Sequence, residues 1–147
     1  MRKINEIIIH CTDTPFGRDV SVEDIDLWHK EKGYYCIGYH YVIDLKGNIH
    51  PGRSVSKIGA HCKGHNAHSI GICYVGGRHK NGAFCDTLNY RQRCALIMLI
   101  SRLFKEFPTI DKISGHNDYS NKACPCFDVS ALNRDFQLLK GGVNNEY

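Results

Sequence analysis

Residues 6–10 read "EIIIH", three consecutive isoleucines closed off by an acid on one side and an imidazole on the other. β-Branched side chains favour extended backbone, and a short continuous apolar run between polar residues is the pattern of a strand buried on both faces. Glu6 to His10 is therefore expected to be an inner strand. Its last residue, His10, then stands at the carboxyl end, where open α/β sheets collect their ligands.

Outward from this strand, helical and extended patterns alternate. Ser21 followed by Asp24 has capping-box spacing, and Val22, Ile25 and Trp28 recur at helical intervals until Gly33, predicting a first helix of about eleven residues. Tyr39 to Asp44 and Asn48 to Pro51 read as two strands joined around Lys46-Gly47, a hairpin signal. Ser69 to Val75 is another strand-like run. From Leu88 to Phe107 the apolar residues Cys94, Leu96, Ile97, Ile100, Leu103, Phe104 and Phe107 keep close to a 3.6-residue period, and Pro108 ends it. A last helix is expected from about Asp128, with Leu132, Phe136 and Leu139 buried and Gly141-Gly142 terminating it. The fold class is thus α/β: a single domain with a central mixed β-sheet flanked by about three α-helices. We place the domain at residues 1–140, with a short tail at 141–147.

The 147 residues suffice for one core, and 42% apolar with 23% charged residues describes a globular chain. The formal charge of +4 is not gathered into a basic run, so a dedicated nucleic-acid binder is not indicated. The run after Arg2 and Lys3 is too short for a secretory core, and nothing approaches the roughly 20 apolar residues of a membrane span. A cytoplasmic product without a signal peptide or stable membrane insertion is expected. The eight cysteines are expected to be mostly reduced.

The stretch "GHNDYSNKACPCFD" (115–128) concentrates imidazole, ammonium and thiols. Thiolate and imidazole are the donors zinc prefers, but His116 and Cys124 are too far apart for one helical turn, so a loop must fold back to unite them. Pro125 suits so stiff a loop. A third ligand must come from elsewhere, and His10 is the most economical source. Two histidines and one cysteine would leave the fourth tetrahedral position to water, the mark of a catalytic zinc site, where water's pKa falls to about 7. On the residues alone, Cys11 and Cys126 rival Cys124 for the sulfur role.

The chain resembles the zinc-dependent N-acetylmuramoyl-L-alanine amidases of the phage lysozyme type, relatives of the peptidoglycan recognition proteins. The resemblance is carried by "IIIHCTDT" (7–14), "WHKEKGY" (28–34), "IGYHYVID" (37–44), "GAHCKGHNAHSIGICYVGG" (59–77) and "GHNDYSNKACPCFD", in order from about residue 5 to residue 135. It implies one zinc ion per chain, held by His10, His116 and Cys124, with Tyr39 and Lys122 as catalytic side chains. The implied reaction is hydrolysis of the amide between N-acetylmuramic acid and L-alanine of the stem peptide. Peptidoglycan or muropeptides are the implied partners and a monomer is expected. The same fold also serves non-catalytic peptidoglycan-binding modules, which typically lose the cysteine ligand. Other branches carry a glutamate base within the "SIGI" strand; here Cys73 follows Ile72, which shifts the weight to Tyr39 and zinc-activated water. The reading fits a phage or prophage lysis enzyme reaching the wall after release, or a host enzyme acting on imported wall fragments.

Around this set, the resemblance implies substrate contact for His61; Asn66 and Ser69 are candidates for substrate binding, orienting its amides, or else for satisfying the loop's own backbone, and His65 and His68 are expected to be exposed loop residues. Alternation along a strand turns His40 into a packing layer if Tyr39 faces the site, and turns Cys11 away from His10. Trp28 is expected in the core, and His29, His50 and His79 show no evident partner.

Overall fold

The structure, a computed structural model, describes residues 1–143. Its elements are β1 (Glu6–Cys11), β2 (Thr14–Pro15), α1 (Val22–Glu31), β3 (Tyr41–Ile43), β4 (Ile49–Pro51), β5 (Ser69–Tyr74), β6 (Gly77–Arg78), α2 (Tyr90–Glu106), β7 (Lys112–Gly115) and α3 (Ser130–Val143). The main sheet has the order β4-β3-β5-β1-β7, and β2 pairs with β6 in a small second ladder. β1 runs parallel to β5 and β7, β3 runs parallel to β5, and only β4 is antiparallel. The mixed sheet with three helices agrees with the expected class. β7 and the β2/β6 ladder were not anticipated, because four and two residues are too few for a period to register.

All six residues of β1 are buried, as its apolar run requires. On one face Ile7, Ile9 and Cys11 join Ile70, Ile72 and Tyr74 of β5 against Leu96, Leu99, Ile100 and Leu103 of α2 and Phe136 of α3. The other face carries Glu6, Ile8 and His10, beside Ser69, Gly71 and Cys73 of β5. Near it α1 packs Ile25 with Val20, Ile37, Val42 and Val75 in a smaller cluster. Large helices on one face and only α1 and loops on the other leave room for a cleft.

α1 has the predicted capping box, Ser21 and Asp24 exchanging side-chain and backbone bonds, and Gly33 beyond its end takes φ +95°. In α2 the buried stripe is Gln92, Ala95, Leu96, Leu99, Ile100 and Leu103, so Cys94 and Ile97 face outward instead. They lie one and two residues off that stripe, where a 100° step per residue turns them to solvent. In α3 Phe136 is buried, but Leu139 is 63% exposed, because the side of the helix that meets residues 110 and 111 runs through Gln137 and Lys140 and turns Leu139 outward. α3 begins at Ser130, whose amide and hydroxyl both bond Asp128, and continues through Gly141 and Gly142 to Val143 instead of stopping at the glycine pair. Of the expected tail, residues 144–147 lie outside the described residues. Tyr39 precedes β3 rather than opening it.

His40 is in a packing layer, as expected. Its Nδ1 accepts from the Gly71 amide at 3.0 Å, so Nε2 carries the proton and donates to Lys57 O at 2.9 Å. Burial, opposed by the Lys57 bond and reinforced by Arg2 and Arg53, lowers its pKa to about 4. A histidine depressed in this way stabilises the fold fully above its unfolded pKa near 6.5, and loses that contribution as pH falls toward the folded value. Stability measured by urea unfolding should therefore decline between pH 6.5 and 4, by roughly 1 kcal/mol per pH unit for each such histidine. His40→Gln should make the decline shallower; an unaltered slope would show that His40 does not carry it.

Candidate metal centre

His10, at the end of β1, is fully buried on the cleft-side face. The segment following β7 brings the other two members of the group. His116 opens a 3-10 turn directly after β7, and Cys124 lies eight residues on, before a cis peptide to Pro125. Two bonds hold this loop against the sheet and one closes it on itself. Cys11 N–H donates to Cys124 Sγ at 3.2 Å, Asn117 N–H to Cys124 O at 2.8 Å, and the buried Tyr74 hydroxyl to Pro125 O at 2.6 Å.

The outcome is a compact triad. One donor atom each from His10, His116 and Cys124 lie within 4.8 Å of one another, and Cys124 Sγ is 3.9 Å from His10 Nδ1. Cys126, the rival sulfur, turns the other way and meets Cys11 Sγ at 3.9 Å. Burial and the Cys11 neighbour push the Cys126 thiol up to about 12, and its bond with Cys124, then burial, raise the Cys11 thiol further. Among the described residues no fourth histidine, cysteine or carboxylate joins the triad. Two imidazoles and a sulfur at this spacing fit a tetrahedral ion of zinc type with one open vertex.

The triad's protonation follows from the bonds behind it. The Ser69 hydroxyl donates to His65 O at 2.6 Å, so toward His61 Nε2, 3.2 Å away, it can only accept. His61 therefore carries its proton on Nε2 and accepts on Nδ1, which lies 2.8 Å from His10 Nε2. His10 must donate there, and its Nδ1 lone pair is left facing Cys124. Burial first, then the neighbouring charges of His61, His116 and Lys122, hold His10 far below the usual histidine range. Burial and Lys122 also lower His116. Neutral imidazoles are the form that ligates metal.

The triad opens on a cleft of about 430 Å³ lined by Trp28, His29, Lys32, Tyr39, Phe84 and Lys122. The Tyr39 ring lies 5.1 Å from the His10 ring, and burial, together with the facing thiols of Cys73, Cys124 and Cys11, keeps its phenol well above the usual tyrosine range. Lys122 is exposed at the rim. Asp13, which also borders the cleft, is bonded to Arg78 at 2.7 Å.

Several sequence expectations are corrected here. Ser69 is fully buried with its hydroxyl committed, so no surface of it is offered to a substrate. His61 is 9% exposed and both its ring nitrogens are engaged. The Asn66 carboxamide oxygen accepts from the amides of His61 and Cys62, holding the loop that carries His61, while the residue still borders an adjoining part of the cleft. Trp28 is half-buried: it packs on the smaller core cluster, as expected, and also lines the cleft. His29 and His50 do find partners, the Gly38 amide and Asp44 respectively. His29 sits four residues after Ile25 on the buried side of α1 and stacks obliquely against Tyr39 at 5.2 Å, a role that its helical spacing could have signalled.

The sequence profile of the N-acetylmuramoyl-L-alanine amidase family matches residues 1–127. An endolysin of Enterobacteria phage K11 is 35% identical over 138 residues, covering 94% of this chain and 91% of its own length. An endolysin of Escherichia phage T7 is 36% identical over 123 residues, covering 84% and 81%. Among solved structures, the N-acetylmuramoyl-L-alanine amidase LysC from Clostridium intestinale URNW superposes with a TM-score of 0.76 at 28% identity, covering 90% of this chain and 87% of that one. Drosophila PGRP-LB gives a TM-score of 0.72 at 26% identity, with 85% and 76% covered.

Removing an outer partner of a ligating histidine typically costs 10–100-fold in metal affinity. His61→Ala should therefore weaken zinc binding by about that factor, measured by competition with a chromophoric chelator. Gly71→Ala should act in the same direction, because its Cβ would sit 2.6 Å from the His61 ring. Wild-type affinity in both variants would remove His61 from the support of His10.

Proposed function

The chain belongs to the N-acetylmuramoyl-L-alanine amidase family and is a peptidoglycan hydrolase, and we propose that His10, His116 and Cys124 hold a single catalytic zinc ion while Tyr39 and Lys122 act on the scissile amide. The observation that carries this reading is the convergence of the three donors at the floor of a cleft that Tyr39 and Lys122 border. When bound, zinc supplies Lewis acidity to the carbonyl and acidifies water at neutral pH.

The remaining work falls to the chain's own groups. As the amide carbon becomes tetrahedral, negative charge grows on its oxygen, and Lys122 can place its ammonium there. Tyr39 remains a phenol at neutral pH because ionisation is disfavoured by burial and by the surrounding thiols, so it serves as a hydrogen-bond donor rather than a base. Where relatives carry a carboxylate base, Cys73 is fully buried and its thiol is driven up by burial and by Cys11. It cannot take over proton transfer. Trp28 and Phe84 give the cleft aromatic walls, while Lys32 and Lys122 bring positive charge for the carboxylates of a stem peptide.

The substrate is peptidoglycan or a muropeptide derived from it. No helix of the described residues is long and apolar enough to cross a membrane. Action on the wall after release from the cell, as a phage or prophage lysis enzyme, is the setting we favour.

Tyr39→Phe and Lys122→Ala should retain one catalytic zinc and lose about 10²–10⁴-fold in kcat, the range for removing a proton donor or an oxyanion partner. Cys124→Ala should lose that zinc together with the activity. Full zinc retention there would reassign the sulfur. Mass spectrometry of digested sacculi should find released peptides beginning with free L-alanine; peptides with any other new terminus would overturn the bond assignment.

A further inference from the structure

A second group of metal-binding side chains lies at the opposite end of β1. Glu6, His65 and His68 each place a donor atom within 4.8 Å of the others. Glu6 is on the same strand face as His10, four residues earlier and hence about 13 Å away. The sequence reading left His65 and His68 as solvent-exposed loop residues; both are half-buried.

Three features point to a ligand. The Glu6 side chain is in a residue only 4% exposed, yet it takes part in none of the four ion pairs among the described residues. Buried carboxylates are ordinarily paired with a cation or bound to a metal. Its hydrogen-bond donor is the Tyr119 hydroxyl, 2.7 and 2.8 Å from its two oxygens, so the Lys112 ammonium reaches the carboxylate only through that hydroxyl and carboxylate lone pairs stay free. The ring nitrogens of His65 and His68 form no hydrogen bond with the described residues, although the His65 ring is held flat on Tyr119 at 3.7 Å.

We infer that Glu6, His65 and His68 form a second binding site for a divalent transition metal of zinc type. Two imidazoles and a carboxylate are a known zinc donor set, with bonds of about 2.0–2.2 Å reached by small side-chain rotations from the present spacing. Tyr119 supplies the outer-shell bond that orients a ligating carboxylate, and Lys112 donates to that hydroxyl at 2.7 Å, one hydroxyl removed from the carboxylate. The site would tie β1 to the loop of residues 61–68. That loop carries His61 against His10 and takes the Ser69 bond on His65 O. Metal at Glu6 thus fixes the loop that orients the catalytic imidazole.

The test is zinc stoichiometry of the untagged chain, stripped of metal and titrated with Zn²⁺ alone against a chromophoric chelator. The wild type should bind two equivalents, Cys124→Ala one, and the His65→Ala/His68→Ala double variant one. His68→Asn, a single change at a half-exposed position, should also bind one and covers the case in which the double variant fails to fold. Zinc should still raise the unfolding temperature of Cys124→Ala. A single equivalent in the wild type, abolished by Cys124→Ala, would overturn the inference and leave the catalytic site intact. A second equivalent that persists in both histidine variants would equally overturn it.

Discussion

The structure depends on β1 being buried on both faces between two parallel neighbours. That burial leaves no freedom of register: a slip by one residue would drive His10 into the isoleucine core and turn Ile9 toward the cleft. With register set by β5 and β7, His10 and Glu6 are held on one face at opposite ends of the strand. Both groups of potential metal donors among the described residues take a member from that face. The opposite face is apolar and covered by α2 and α3, so the sheet works as a wall between packing and chemistry.

Histidine is the material of the cleft-side face, and burial decides its state. His10, His29, His40 and His61 are all nearly inaccessible, and each is pushed toward the neutral form chiefly by burial. Neutral imidazole offers one donor and one acceptor, and these rings use them in sequence: His10 to His61, His61 to Ser69, Ser69 to the His65 carbonyl. The chain of bonds needs a gap in the sheet's side chains, which Gly71 provides by letting the His61 ring lie flat on the strand. A polar network of this kind is stable because every member is satisfied; among the described residues no buried side-chain nitrogen or oxygen lacks a partner.

The loop from Gly115 to Phe127 shows how rigidity reaches a segment with almost no regular structure. Its bonds to Cys11, Tyr74 and within itself place sulfur and imidazole where the strand end already holds the first donor. The site is therefore built on the end of an inner strand and a pinned loop. The end of α1 closes the side of the cleft.

The sequence by itself determined the elements whose order repeats locally: the buried β1, the capped α1, the hairpin around Gly47 and the long α2, because periodicity and caps act over a few residues. The motif resemblance also pointed to His10, His116 and Cys124, which the fold brings together, and to Tyr39 and Lys122, which border the cleft. What only the tertiary structure decided was the company those residues keep. Ser69 and His61 sit in a polar, glycine-containing stretch; they became supports because the fold lays His61 on His10, 51 positions earlier, and Ser69 behind His61. Trp28 and Leu139 follow helical spacing, yet spacing says which residues share a face and not how much of that face its neighbours cover. The gathering of Glu6 with His65 and His68 likewise arises from β1 and a loop some sixty residues later in the chain meeting in space, a contact no local pattern encodes.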